Sequence, residues 1–277
     1  MGEGLLMIDG HTRLYGILGR PVAHTLSPAM HNAAFRQLGI NAVYVAFPVF
    51  DLTGAVAGLR GLNLAGVSVT LPFKEEIIPL LDELDPRAAQ IGAVNTVVNR
   101  NGHLVGHNTD WWGALTALKA KTAIAGRHFL ILGAGGAARA IAFGLMEAGG
   151  QVTLTDLDAA RATALAEDLG AAAIALNALG QCPATGLINA TPVGMEPRVE
   201  EIPLSPDLLS RFTLVMDIVY RPLQTRLLRE AQNRGCATID GLQMLIHQAT
   251  AQFELWTGLA APLETMSRAA YAALEEG

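Results

Sequence analysis

Cysteine is nearly absent. Cys182 and Cys236 are the two in 277 residues, too few for a disulfide framework and without metal-type spacing, so both read as small buried fillers. The seven histidines form no His-Glu-x-x-His or similar cluster, so no metal site is expected. Positive charge is also scarce: 19 Lys and Arg against 25 Asp and Glu leave a net charge of −6. That balance excludes general nucleic-acid or membrane-surface binding, while a local basic pocket remains compatible with it. No long apolar run exists either. The longest uncharged stretch, 169–195, contains Asn, Gln, Pro and Gly and does not read as a membrane span. Glu3 and Asp9 interrupt any basic-then-apolar signal pattern, and a soluble cytoplasmic protein is the expectation. What is present is a 51% hydrophobic chain, long enough for two domains with separate cores.

The most informative stretch is Phe129-Leu-Ile-Leu-Gly-Ala-Gly-Gly-Ala-Ala138. An apolar, β-prone run enters a Gly-x-Gly-x-x-Ala turn and a helical pattern follows, which is the context a dinucleotide fingerprint requires. Gly133 permits the tight turn, Gly135 lets backbone N–H groups approach a pyrophosphate, and Ala138 lets helix and strand pack closely. Ala134, Gly136 and Ala137 complete the turn. About half the chain precedes it, enough for a separate domain that handles a substrate.

Strands and helices alternate throughout. Strands are expected at Leu14–Leu18, Ala42–Phe47 and Ala65–Thr70, with helices over Pro28–Leu38, Asp51–Arg60 and Lys74–Leu84. Ala93–Asn99 and His103–Gly106 read as a hairpin around Asn101-Gly102, and a helix over Asp110–Leu118 leads into the second half. There, strands 128–132 and 151–155 with helices 136–148 and 158–168 make a βαβα unit, and strands near 185–190, 213–218 and 236–239 extend the sheet. The last periodic segments, Leu242–Thr257 and Pro262–Glu275, read as helices that return to the first domain. The domain expectation is therefore 1–109 with 243–277, and 110–242. The short junction near 107–113 suggests a cleft of defined width between the two.

The second strand of the fingerprint unit ends at Asp156, twenty-three positions after Gly133. A carboxylate there would accept hydrogen bonds from an adenosine ribose and repel a 2′-phosphate, and no arginine follows until Arg161. On this reading NAD is preferred, with NADP possible. The alternative is that Asp156, or Asp158 beside it, caps the next helix. Asn189-Ala-Thr-Pro-Val-Gly194 and Asp217-Ile-Val-Tyr220 follow expected strands and belong at the sheet's carboxyl edge, so Asn189, Thr191, Ile218 and Tyr220 face the nicotinamide side. For Asp217 and Tyr220 a purely structural hydrogen-bonding role stands equally.

Three segments of the first half combine polar groups with stiff neighbours. Thr25 and Ser27 stand just before a helix start, where they serve either as caps or as partners of a carboxylate. Thr70 and Lys74 stand at the exit of a buried strand, where Lys74 is either a solvated helix residue or a partly enclosed ammonium. Asn95 and Asp110 lie near the domain junction, and Asp110 can simply cap the helix that follows. Together they suggest a polyhydroxylated, anionic small substrate with one Lys–Asp pair for proton transfer. Two other classes compete with this reading. A folate-type methylene dehydrogenase would need an aromatic platform for a pterin, and a cofactor-sensing regulator would need neither Lys74 nor Asp110.

His-Thr-Leu-Ser-Pro at 24–28, Val-Thr-Leu-Pro-Phe-Lys at 69–74, Gly-Ala-Val-Asn-Thr at 92–96, Asn-Thr-Asp at 108–110, the Gly-Ala-Gly-Gly-Ala turn, Asn-Ala-Thr at 189–191 and Asp-Gly-Leu at 240–242 occur in that order. The chain resembles the shikimate dehydrogenase family, whose members catalyse the reversible nicotinamide-dependent reduction of 3-dehydroshikimate to shikimate on the way to chorismate. The resemblance implies an α/β substrate domain plus a Rossmann domain, with C-terminal helices packed back on the first. It implies that Lys74 and Asp110 are the catalytic pair, that Thr25, Ser27, Thr70, Asn95 and Gln248 hold substrate, and that Gly241 lies in a cofactor-side motif. The expected partner is a small molecule, and the expected assembly a monomer or homodimer. Three positions depart from the family pattern. Asp156-Leu157-Asp158 replaces the Asn-Arg-Thr-like segment of NADP users, Thr25 replaces a serine, and Trp111-Trp112 replaces small or aliphatic residues. Similar paralogues accept quinate with NAD, so a quinate/shikimate dehydrogenase is the alternative.

Overall fold

A computed structural model describes residues 8–275. The chain divides into two compact units, one of residues through Thr109 together with those from Gln248 onward, the other of Asp110–His247.

Unit 1 begins with β1 (Arg13–Gly19), α1 (Ser27–Gln37), β2 (Ala42–Pro48), α2 (Leu52–Gly61) and β3 (Gly66–Val69). It continues with β4 (Glu83–Leu84), α3 (Pro86–Ile91), β5 (Thr96–Arg100) and β6 (His103–His107). The sheet order is β2-β1-β3-β5-β6-β4. Strands β1, β2 and β3 run parallel, whereas β5 is antiparallel to both β3 and β6. One core cluster is aliphatic, centred on Val67, Val69, Ile77, Val94, Val97 and Leu104, and a second packs the buried rings of Tyr15, Phe35, Tyr44, Phe253 and Trp256. Each large aliphatic side chain buried there contributes about 1.5–3 kcal/mol.

Local chemistry explains most boundaries. Asp51 accepts a hydrogen bond from the Gly54 N–H at the start of α2. The β5–β6 turn uses Asn101 at φ 54° and Gly102 at φ 92°, the left-handed pair that suits the twist of a two-residue hairpin. The expected helix over 74–84 does not form. Residues 71–77 turn, a 3₁₀ segment covers Ile78–Leu80, and β4 follows. Pro79 would stand at the centre of that helix, without an N–H and disfavouring helical geometry at Ile78. Helix α3 is additional to the expected elements, although Asp85 caps it, Pro86 opens it, and Gly92 closes it at φ 70°. The first hairpin strand also starts later than expected, at Thr96 rather than Ala93.

Unit 2 contains α4 (Asp110–Lys119), β7 (His128–Leu132), α5 (Gly136–Glu147), β8 (Gln151–Thr155), α6 (Ala159–Leu169) and β9 (Ala172–Ala173). It then adds β10 (Gly186–Asn189), β11 (Leu214–Asp217), α7 (Arg226–Asn233) and β12 (Ala237–Ile239), with 3₁₀ segments at Leu176–Gln181 and Pro206–Arg211. All six strands are parallel in the order β12-β11-β10-β7-β8-β9. Two βαβ halves thus meet where β7 lies beside β10, the point at which doubly wound sheets bind ligands. Helix α7, also additional, is capped by Thr225 and buries Leu227, Leu228 and Ala231. Trp111 fills the α4–α5 contact: a Cβ on Gly144 would stand 3.1 Å from the Trp111 carbonyl oxygen, and the Trp111 and Phe143 rings meet edge to face at 6.2 Å. Trp112 remains about half exposed.

Helix α8 (Gly241–Thr257) belongs to unit 2 through His247 and to unit 1 from Gln248, and α9 (Leu263–Glu275) packs on α1. The Trp256 indole N–H donates to the Val97 carbonyl at 3.0 Å. Gly66 makes room for that ring, since a Cβ there would come within 2.4 Å of Trp256 Nε1. No helix among the described residues is long and apolar enough to cross a membrane.

Candidate active site

Strand direction gathers the unit 1 motifs at one end of the sheet. Parallel β1 and β3 end at Gly19 and Val69, antiparallel β5 begins at Thr96, and β6 ends at His107 opposite Thr96. The segments carrying Thr25 and Ser27, Thr70 and Lys74, Asn95, and Thr109 with Asp110 all extend from that end. Backbone bonds fix their spacing. Thr70 N–H donates to Leu18 O at 2.9 Å, Arg20 N–H to Leu71 O at 3.1 Å, and Val94 N–H to Lys74 O at 2.8 Å. The lysine-bearing turn is therefore tied at its main chain to the residue before Asn95. Gly19 lets Thr70 pack closely, since a Cβ there would lie 2.2 Å from Thr70 Cγ2 and displace that side chain.

Asn95 sits in a cluster of amides and hydroxyls. Its Nδ2 donates to Thr109 Oγ1 at 3.0 Å and to Gln248 Oε1 at 3.2 Å. Its Oδ1 accepts from the Thr109 N–H at 2.7 Å and from Thr96 Oγ1 at 2.8 Å. Asn95, Thr109 and Gln248 are all buried, and so is Asp110, the next residue after Thr109 and the first of α4. Thr25 Oγ1 donates to Ser27 Oγ at 3.2 Å and accepts from the Ser27 N–H at 3.3 Å. Ser27 is not the cap of α1; it is the first helical residue, and no side chain caps that end. Thr25, Thr70 and Lys74 lie outside the fully buried core. Lys74 stands in a turn, not in the expected helix, and is half-buried. Thr96 and Thr109, to which the sequence alone assigns no role, carry bonds to Asn95; their place in the Gly-Ala-Val-Asn-Thr and Asn-Thr-Asp motifs is the signal that could have marked them.

In unit 2 the fingerprint turn passes close to the loop after β10. Gly133 takes φ 110°, and a Cβ there would stand 3.0 Å from Ala190 O and 3.2 Å from Thr191 Cγ2, on the neighbouring strand's loop. Gly135 caps α5 with no side-chain hydrogen bond, and no acidic residue occupies the first turn. The N–H groups of that helix end, including those of Gly136 and Ala137, suit the pyrophosphate of a dinucleotide. Around them, polar side chains serve the backbone. Asp156 Oδ2 accepts from Ala134 N–H at 2.8 Å and its Oδ1 from Asp158 N–H at 2.9 Å. Asp158 caps α6 through the N–H groups of Ala160 and Arg161, each at 3.1 Å.

Asn189 Oδ1 accepts from Thr191 Oγ1 at 2.6 Å and from Thr191 N–H at 3.1 Å, while its Nδ2 donates to Asp217 Oδ1 at 2.9 Å. Asp217 also accepts from Thr225 Oγ1 at 2.7 Å and from Val219 N–H at 3.1 Å. Burial, opposed by these hydrogen bonds, pushes the Asp217 carboxyl up to about 6. Its position is structural, holding the β10 and β11 loops together. Ile218 N–H donates to Asn189 O at 3.1 Å, and Gly241 permits close passage of that loop, a Cβ there falling 2.2 Å from Ile218 O. Tyr220 follows in the same loop and is half-buried. Among the described residues no group of His, Cys, Asp and Glu could hold a metal ion.

Two family models match the chain. One described as the shikimate dehydrogenase substrate binding domain covers residues 17–97, and one described as the shikimate 5′-dehydrogenase C-terminal domain covers 241–271. A relative from Symbiobacterium thermophilum is 48% identical over 96% of each chain, and one from Thermococcus kodakarensis is 50% identical over 91% of this chain and 93% of its own. Both are named shikimate dehydrogenase (NADP(+)). The crystal structure of the Thermus thermophilus shikimate 5-dehydrogenase in complex with NADP(H) and shikimate superposes with a TM-score of 0.88 at 44% identity, covering 95% of this chain and all of the other.

These names overturn the NAD preference expected from Asp156. Spacing from the glycine turn places a carboxylate at the strand tip, but both its oxygens are engaged by the N–H groups of Ala134 and Asp158. A basic residue, Arg161, stands close to the same turn. Its Nη2 lies 3.9 Å from where a Gly135 Cβ would stand, so a guanidinium reaches back over the turn from the first turn of α6. With full-length matches of this strength, the chain belongs to the shikimate dehydrogenase family.

Proposed function

We propose that this protein is an NADP-dependent shikimate dehydrogenase, interconverting 3-dehydroshikimate and shikimate. The observation that carries the reading is the Val94–Lys74 backbone bond beside the Asn95 cluster. It sets a lysine-bearing turn next to fixed, neutral hydrogen-bonding groups, the chemistry that a polyhydroxylated ring ketone requires.

NADP, when bound, supplies and accepts the hydride. In the reductive direction the Lys74 ammonium hydrogen-bonds the ketone oxygen, stabilises the negative charge that develops there, and delivers its proton to the resulting alkoxide. Asp110 accepts a hydrogen bond from the neighbouring substrate hydroxyl and holds it in orientation. Asn95 and Gln248 grip ring hydroxyls, while Thr25, Ser27 and Thr70 receive the carboxylate side, and Tyr220 completes the substrate contacts. The N–H groups of Ala134, Gly135, Gly136 and Ala137 bind the pyrophosphate, with Gly133 making the turn. Asn189, Thr191, Ile218 and Gly241 shape the nicotinamide side. Arg161 supplies positive charge for the 2′-phosphate. Residues through 109 and from 243 then act as the substrate domain, and 110–242 as the cofactor domain.

Cys182 and Cys236 are both free and buried, in keeping with a reducing cytoplasm, where we place a monomer or homodimer. The test is reduced-nicotinamide formation from shikimate or quinate, each with NADP and with NAD. Shikimate with NADP is expected to give the highest kcat/KM, and a higher value for quinate or for NAD would overturn the corresponding part of the reading.

A further inference from the structure

Gln252 lies one helical turn beyond Gln248 on α8, on the same face of that helix, and is 1% exposed. Its partners determine which way its amide points. Tyr44 Oη donates to Ser68 Oγ at 2.6 Å, so the Ser68 proton is directed to Gln252 Oε1 at 2.9 Å. Burial raises the Tyr44 phenol above its ordinary value, which keeps it a donor. With its oxygen facing Ser68, the Gln252 amino group faces Asn95 O at 3.1 Å and Thr96 Oγ1 at 3.0 Å. Thr96, having accepted that bond, donates to Asn95 Oδ1 at 2.8 Å. Thr96 thus joins the Thr109 N–H, which donates to the same Asn95 Oδ1 at 2.7 Å, in holding the Asn95 amide with its amino end toward Thr109 Oγ1 and Gln248.

Every hydrogen bond in this series runs one way, from Tyr44 to Asn95. A buried amide with unmatched ends leaves a donor and an acceptor unsatisfied, so reversing one member is disfavoured throughout. We propose that Gln252 is a positioning residue for substrate recognition, which completes the bracing of the Asn95 main chain and amide, shared with Val69 N–H, His107 O and Thr109 N–H, without itself touching substrate. The inference rests on the role given to Asn95 in the proposed function. Because Asn95 grips hydroxyls that do not react, loss of its orientation weakens ground state and transition state alike.

The experiment is steady-state kinetics of the purified full chain with shikimate and NADP, for wild type, Gln252→Met, Ser68→Ala and Asn95→Ala, with thermal unfolding of each. Gln252→Met keeps the side-chain length and removes the amide. It is expected to raise the KM for shikimate about tenfold, leaving kcat within a few-fold and the KM for NADP unchanged. Ser68→Ala removes the donor that orients Gln252, together with the acceptor of the Tyr44 hydroxyl, leaves every group that touches Asn95 in place, and is expected to raise the same KM about threefold. A merely structural role would lower the melting temperature and the active fraction, with no selective shift of the shikimate KM, and that result overturns the inference. Should Gln252→Met not fold, an unchanged shikimate KM in Ser68→Ala overturns it equally. The control separates two failures: if Asn95→Ala raises the KM and Gln252→Met does not, the inference alone falls, whereas an Asn95→Ala enzyme with unchanged KM removes the Asn95 role and the inference with it.

Discussion

At the ligand end of unit 1, side chains hydrogen-bond one another: Asn95, Thr96, Thr109, Gln248 and Gln252 form one cluster drawn from two strand ends and a C-terminal helix. At the glycine turn of unit 2, side chains hydrogen-bond backbone: Asp156 holds Ala134 and Asp158 holds α6, while the Asn189–Asp217–Thr225 bonds tie the neighbouring loops together. The first region presents side-chain groups whose direction is set by other side chains. The second presents main-chain N–H groups whose direction is set by the turn. A ring with several hydroxyls needs discrimination among donors and acceptors, and a pyrophosphate needs only converging N–H groups. The same polar residue types therefore do different work in the two units.

The sharpest way to break this contrast is Lys74→Ala, which removes the one unit 1 group given a proton to move. A fall in kcat of about a thousandfold is expected, with the shikimate KM altered only a few-fold, and unchanged turnover would exclude Lys74 from the chemistry. Next is Asp217→Asn, which tests whether a unit 2 carboxylate is purely structural. Folding raises the Asp217 carboxyl from 3.8 to about 6, so the stability it contributes is full below its unfolded value and is lost as pH rises through about 6. The stability of wild type relative to the variant should therefore fall by on the order of 3 kcal/mol between about pH 4 and pH 7. Urea unfolding at closely spaced pH values measures it, and parallel curves would refute it. The smallest effect is expected of Asp156→Ala. Loosening the glycine turn should weaken NADP and NAD by a similar factor, about fivefold. A change in the ratio of the two affinities, read by titration calorimetry, would restore Asp156 to direct contact with the ribose.

Legibility followed the range of the interactions concerned. The strand–turn–helix of the fingerprint could be read because its glycines act through their own backbone, and the parallel sheet follows from alternating strands and helices. The expected helix over 74–84 failed on Pro79, a local signal that is present in the sequence and decisive. Asp156 misleads for a different reason: spacing fixes where a carboxylate stands, while its bonding is fixed by the fold. Gln252 was out of reach altogether. Its partners Ser68 and Thr96 lie 184 and 156 positions away, and no periodicity in α8 distinguishes a glutamine that orients an amide from one that faces water.

The seam at Gly66, where the Trp256 indole occupies the space a methyl group would fill, has a consequence for how the molecule is made. Unit 2 is one unbroken stretch of chain, but unit 1 is interrupted by it and needs Gln252, Trp256 and α9 for closure. During synthesis the parallel sheet of unit 2 emerges from the ribosome complete, while the earlier sheet, already covered by α1 and α2, still lacks α9 and the end of α8. The half of the protein translated first is thus the last to acquire its finished interior.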